Sequence, residues 1–383
     1  MIAFLIVFLL ASEASLAETE GADRAKRQVL VSSRGNSDKK WPRQTVNYYF
    51  DRKFESSVKE SVLRAMNKLS EHTCVKFSNK SSSYISIKIT SENKQSCFAV
   101  IGRTFDSQPY NFNSACWTVG QAVHELIHVL GFDHTHTRSD RDTHLNIDMQ
   151  KLAKSVGTAI SQYEVKTPQI LYVPYDLGSV MQYDPDGLDG FLPRDMEYRS
   201  TMGSEVVAFY DYLMINKYYD CKCDSDLICK NHGYPNPGNC SECNCPYGYG
   251  GLDCSERAEP GVTLEATSEW KTTNFSLNAG NDQLDGETKS KRDYIYHFIW
   301  ITAPANKTIE VEIREHSGLE CDRGCRAGGI EVKTLADPRM TSPRFCCADK
   351  KNVFKSKNNP TVVMAFNSDG TDEYTLAYRV SDE

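Results

Sequence analysis

The sequence predicts a multidomain chain in three unequal parts: an α+β domain, a small disulfide-stapled module and an all-β sandwich. Three observations carry this. Between about residues 41 and 221, apolar runs of period two alternate with runs of helical period. Seven cysteines crowd residues 221 to 254 among Gly, Asn and Pro, a stretch too poor in apolar residues to fold around a core. From 262 to 383, short alternating runs such as Ile309 to Ile313, Val362 to Phe366 and Tyr374 to Val380 are separated by Asn, Gly and Asp turns. A length of 383 residues suffices for two or three folding units. The chain holds 14 cysteines, 11 of them from Cys221 onward, which points to an oxidising compartment. A net charge of -7 gives no basic footprint and argues against nucleic acid as a partner.

The elements follow in order. The apolar run Ile2 to Ala11 is about half the length a spanning helix needs, and Ser15-Leu16-Ala17 offers a small-x-small cleavage site. Residues 1–17 therefore read as a secretory signal, with no membrane anchor after it and a secreted, extracellular product. Arg24-Ala25-Lys26-Arg27 resembles a furin-type processing site, which makes 18–27 a short propeptide and 28–40 a flexible lead-in.

Domain boundaries are expected at 41–221, 222–255 and 262–383. In the first part, Val46, Tyr48 and Phe50 alternate within Thr45 to Asp51, as do Ile85, Ile87 and Ile89 within Tyr84 to Thr90. Both stretches predict strands. Between them, Val58, Val62, Met66 and Leu69 give Glu55 to His72 the stripe of an amphipathic helix. Further helices are expected over Gln121 to Leu130, stopped by Gly131, and over Glu205 to Tyr218, where Val206, Phe209, Tyr210, Leu213 and Met214 form an apolar stripe.

The chemistry concentrates in His124-Glu125-Leu126-Ile127-His128-Val129-Leu130-Gly131-Phe132-Asp133-His134. On a helix, His124 and His128 are one turn apart, so both imidazoles can reach one metal at the roughly 2.0 to 2.1 Å of a zinc–nitrogen bond. Glu125 lies beside them, where a carboxylate can take a proton from a water on that metal. Gly131 ends the helix without strain and swings the chain round to bring in His134. Three neutral nitrogens leave a position open for water, as in a catalytic zinc site.

This run, followed by Arg138-Ser139-Asp140-Arg141-Asp142, closely resembles the signature of the astacins among the metzincin proteases. The resemblance covers about residues 41 to 221. Ser179-Val180-Met181-Gln182-Tyr183 resembles the metzincin Met-turn. It implies Met181 beneath the metal and, for Tyr183, the role of a mobile zinc ligand that stabilises the tetrahedral intermediate. The same resemblance implies disulfides Cys74 with Cys221 and Cys97 with Cys116. Cys223, Cys229, Cys240, Cys243, Cys245 and Cys254 resemble an EGF-like module. The part with Cys321, Cys325, Cys346 and Cys347 resembles the divergent CUB domain of nematode-type astacins. Adjacent Cys346 and Cys347 are expected to bond to different partners, with the pairing open.

The implied activity is that of a zinc metalloendopeptidase, with one Zn2+ per chain, that hydrolyses extracellular proteins or peptides, matrix components among them. A rival reading is a decayed homologue that binds through its EGF-like and CUB parts. Thr135 supports the rival, because astacins carry Glu after the third histidine to receive the ammonium of the processed N-terminus. A threonine cannot neutralise it, so the mature end at Gln28 is expected to stay in solvent. Residues 18–27 also lack the Phe-x-Gly-Asp stretch of astacin propeptides, which argues against latency by an aspartate. Asn79, Asn274 and Asn306 begin Asn-x-Ser/Thr sequons and are expected to carry glycans.

Overall fold

Val46, Ile87 and Ile89 are fully buried on one face of a five-stranded sheet whose order is Lys76–Asn79, Thr45–Phe50, Ile87–Thr90, Gln108–Asn111, Phe98–Ala99. The first four strands run parallel and the edge strand Phe98–Ala99 runs antiparallel. The structure, a computed structural model, describes residues 29–30, 39–80, 83–104, 106–166, 169–170, 173–185, 187–280, 293–318, 321–347 and 352–381. The expected signal, the Arg24 to Arg27 cluster and Gln28 lie outside the described residues. Within the expected lead-in, Val29–Leu30 pairs antiparallel with Gln169–Ile170.

Two helices, α1 (Lys59–His72) and α2 (Val119–Val129), pack on this sheet and share its core through Val62, Leu69, Val123, Leu126 and Ile127. The helical stripe predicts a start at Glu55, but residues 56–58 form a 3-10 turn and the α-helix begins at Lys59. Ser57 donates to the Glu55 carboxylate at 3.3 Å in this turn, and two serines in succession are weaker helix formers than the residues that follow. Past α2 come a short helix, α3 (Met149–Val156), and a second core of Leu145, Leu152, Tyr163, Phe191 and Met202. The last helix of this domain, α4 (Phe209–Tyr218), starts four residues later than its stripe predicts. Val206 is fully buried, but against Phe298, Met364 and Phe366 of the sandwich and not within the helix. The Asp211 carboxylate accepts from the Ala208 N–H at 2.9 Å and sets the start.

Disulfides Cys74–Cys221 and Cys97–Cys116 close the α+β domain. The six-cysteine module is stapled by Cys223–Cys240, Cys229–Cys243 and Cys245–Cys254 around two small hairpins. It sits on the end of α1, where Asn244 donates to the His72 carbonyl at 2.8 Å and Asn236 to the Glu71 carbonyl at 2.8 Å.

The C-terminal part is a two-sheet sandwich. One sheet has the order Gly261–Glu265, Ile295–Thr302, Thr361–Asn367, Gly328–Val332, Arg344–Phe345; the other is Lys271–Gly280, Gly370–Ser381, Thr308–Ser317, Asn352–Ser356. Its core includes Leu277, Ile299, Ile309, Val311, Ile330 and Leu376. Cys321–Cys347 and Cys325–Cys346 hold the loop before the strand Gly328–Val332. The sandwich docks on the α+β domain through buried polar contacts. Thr341 donates to Asp176 at 3.0 Å, Tyr198 to the Thr341 carbonyl at 3.0 Å, and the Arg344 N–H to Thr201 Oγ1 at 2.8 Å.

A candidate metal and catalytic centre

Helix α2 places the first site residues. Thr118 caps it with a reciprocal pair: its hydroxyl accepts from the Gln121 N–H at 3.2 Å, while the Gln121 side chain accepts from the Thr118 N–H at 3.4 Å. His124, Glu125 and His128 follow on one buried helix of 11 residues. Gly131 has φ +109°, a conformation that glycine adopts without strain. The chain turns there and delivers His134.

The three imidazoles converge. His134 Nε2 lies 3.2 Å from His124 Nε2 and 3.0 Å from His128 Nε2. Two of the opposite ring nitrogens are pinned, His124 Nδ1 at 2.7 Å from the Val180 carbonyl and His128 Nδ1 at 2.7 Å from the Phe132 carbonyl. His134 Nδ1 lies 3.4 Å from Asp133 Oδ1. Each carbonyl accepts a hydrogen bond from Nδ1–H, which leaves the Nε2 lone pairs of neutral rings facing one another. Lone pairs so placed repel unless a cation sits among them. Tetrahedral zinc with bonds of roughly 2.05 Å sets its nitrogens about 3.3 Å apart, close to the spacing found. The donor set therefore fits Zn2+.

Burial keeps these rings neutral. It is the largest cause of pKa values lowered to about 3 for His124, about 3 for His128 and about 4 for His134; the neighbouring imidazole lowers His128 further. Each value lies below the ordinary 6.5, so below that pH the unfolded chain binds more protons than the folded one. The three rings of the metal-free protein should therefore contribute their full stabilisation above pH 6.5 and lose it progressively as pH falls toward 3. This loss from three groups outweighs the opposite trend of the single carboxyl of Glu125. Thermal melts of chelator-treated protein from pH 7 to pH 4 should show a falling Tm; a flat profile would mean that the folded rings charge freely.

Glu125 lies beside the cluster. It is 8% exposed, burial raises its pKa to about 8, and a backbone hydrogen bond from Ala99 opposes that rise. Its Oε2 is buried with no partner among the described residues. Met181 is fully buried, and its carbonyl accepts from the Thr135 N–H at 2.9 Å. The Tyr183 ring packs 4.2 Å from the His134 ring, and burial pushes its phenol pKa well up. A cleft of about 430 Å³ opens on this group, lined by His124, Glu125, Tyr163, Tyr183, Asp184 and Arg323 among others.

Other residues take places that sequence reasoning left blank. His136 is fully buried beside His134 and Tyr183, with ring separations of 5.4 and 4.3 Å, and its Nε2 is 3.1 Å from the Gln162 carbonyl. It backs the third histidine, and its spacing from His134 was the only signal. Thr135 is 1% exposed and donates to Ser179 Oγ at 3.2 Å, and Ser179 in turn donates to Asp211 at 2.6 Å. The residue that departs from the pattern is thus tied into the network beneath the Met-turn.

A family model described as Astacin, a peptidase family, matches residues 33–220. Zinc metalloproteinase nas-22 of Caenorhabditis elegans is 49% identical over 344 residues, spanning 88% of this chain and 92% of the relative. The zinc metalloproteinase-like protein nas-21 of the same organism is 46% identical over 370 residues, spanning 95% and 91%. Among solved structures, high choriolytic enzyme 1, a hatching enzyme zinc-protease from Oryzias latipes, is 26% identical over 48% of this chain and 94% of its own, with a TM-score of 0.43. Identities of 49% and 46% to the two nematode relatives along nearly the full length, together with the converging histidines, mean that the chain belongs to the astacin family of zinc metalloproteinases.

Proposed function

We propose that the chain is a secreted endopeptidase that hydrolyses peptide bonds of extracellular proteins, with one zinc held by His124, His128 and His134. The observation that carries this is the convergence of three imidazole nitrogens, His134 Nε2 at 3.2 Å from His124 and 3.0 Å from His128, beside a buried carboxylate oxygen with no partner among the described residues. A zinc ion held by these three rings would supply a Lewis acid and would lower the pKa of water toward neutral. Glu125 Oε2 takes the proton of the attacking water and returns it to the leaving amine. Burial alone raises the Glu125 pKa, while a cation held beside it would favour the carboxylate; the two opposing effects let the group accept a proton and give it back. The Tyr183 phenol, kept protonated, donates to the oxyanion that forms at the scissile carbonyl. Met181 supports the floor, since its backbone fixes the turn that carries Tyr183.

Secretion rests on the signal-like residues 1–17 and on seven disulfides among the described residues. Asn79, Asn274 and Asn306 are all exposed, as glycan acceptors must be.

The processed protein should digest casein, a chelator should abolish this and added zinc should restore it. Digestion that persists in chelator would overturn the reading. Tyr183→Phe should lower kcat by roughly a hundredfold or more, the cost of one oxyanion donor, with KM moving far less. A loss confined to KM would assign Tyr183 to substrate binding instead.

A further inference from the structure

The cleft is not built by the peptidase domain alone. Arg323 and Arg326 of the sandwich line it together with His124, Glu125 and Tyr183. We propose that Arg323 is a specificity-determining residue that recognises a carboxylate on the substrate near the scissile bond. This deepens the peptidase reading and rests on it.

The loop that carries Arg323 is fixed in place. Disulfides at Cys321 and Cys325 bracket it. Asp322 accepts from the Arg326 N–H at 2.9 Å. Gly324, at φ +70°, lies so close to the α+β domain that a Cβ there would overlap the Gly203 carbonyl. Only glycine permits that approach. Gly203, at φ +84°, in turn packs on Asp184.

The charges of the cleft wall sort themselves. Arg326 holds Asp184 at 2.9 Å, lies 3.7 Å from Glu205 and donates to the Gly203 carbonyl at 3.1 Å. Glu205 also accepts from Thr118 Oγ1 at 2.5 Å. Both wall carboxylates are thereby compensated without Arg323. The Arg323 side chain is 56% exposed, and among the described residues its nearest carboxylate, Asp184, is 4.0 Å away and already engaged. A planar fork with five N–H donors, held at the wall of a concave site, is matched by a carboxylate. Either an acidic side chain or the C-terminus of a short peptide could supply that group.

The test uses the full processed chain and quenched-fluorescent peptides in which Glu, with Gln as its isosteric control, is scanned through the residues flanking the cut. A parallel series compares free with amidated C-termini. The wild type should favour the carboxylate at one position by roughly fivefold in kcat/KM, chiefly through KM, the upper range for an exposed charge pair. Added salt should shrink that ratio. Arg323→Gln should collapse it toward one, and Arg323→Lys should retain part of it. A preference in the Glu series alone assigns the side chain, and one in the terminus series alone assigns the C-terminus. A wild type that cleaves both members of every pair equally overturns the inference and leaves the peptidase reading standing. So does an Arg323→Gln protein whose rates fall in proportion with the ratio kept, since Arg323 then only braces the interface. A wild type that cleaves neither peptides nor casein refutes the peptidase reading, and this inference with it.

Discussion

Replacing Glu125 with alanine should lower kcat/KM by roughly a hundred- to ten-thousandfold while zinc content, read by atomic absorption, stays at the wild-type level. The residue is next to a ligand but is not one. The three Nε2 atoms converge without it, and its own Oε2 has no partner among the described residues. Burial raises its pKa to about 8, so the folded chain carries this carboxyl against a desolvation cost. After chelator treatment the alanine protein should therefore melt no lower than wild type treated in the same way. That combination separates a proton carrier from a structural residue. Loss of zinc together with turnover would place Glu125 in the scaffold, and retained turnover would remove it from the mechanism.

The centre was legible because its constraints are local. His124 and His128 must share a helix face, and Gly131 must take a positive φ before His134 can arrive; four positions within 11 residues record that geometry. The disulfide module was legible from cysteine density alone, since nothing else in residues 221–254 could hold a fold. What escaped depends on distant packing. The stripe that starts the last helix at Glu205 counts Val206 as a helical residue, yet Val206 is buried against sandwich side chains more than 90 positions later. Periodicity records that a residue is buried, not what buries it. Arg323 and Arg326 escaped for the same reason. The bond from Arg326 to Asp184 spans 142 residues, and no local pattern marks an arginine that completes another domain's cleft.

Glu331→Ala should destabilise the sandwich by roughly 3 to 5 kcal/mol, the cost of leaving buried charge unpaired. Glu331 is fully buried with Lys333 at 2.7 Å, Arg344 at 3.0 Å and the Ser342 N–H at 2.8 Å. Burial opposes its charge, but the two cations and their hydrogen bonds win and hold its pKa below the usual carboxylate range. Alanine strands both cations, of which Arg344 is 1% and Lys333 4% exposed. A shift of the urea midpoint measures the loss, and replacing Glu331, Lys333 and Arg344 together by apolar residues should recover much of it. The consequence reaches the cleft, because Arg344 also donates to the Ser204 hydroxyl, one residue before Glu205. If the cluster sets the sandwich against the peptidase wall, Glu331→Ala should lower the Glu-to-Gln cleavage ratio at temperatures well below its melt. An unchanged ratio in a destabilised protein would confine the cluster to holding the sandwich together, and Gly324 against Gly203 would then suffice to aim Arg323.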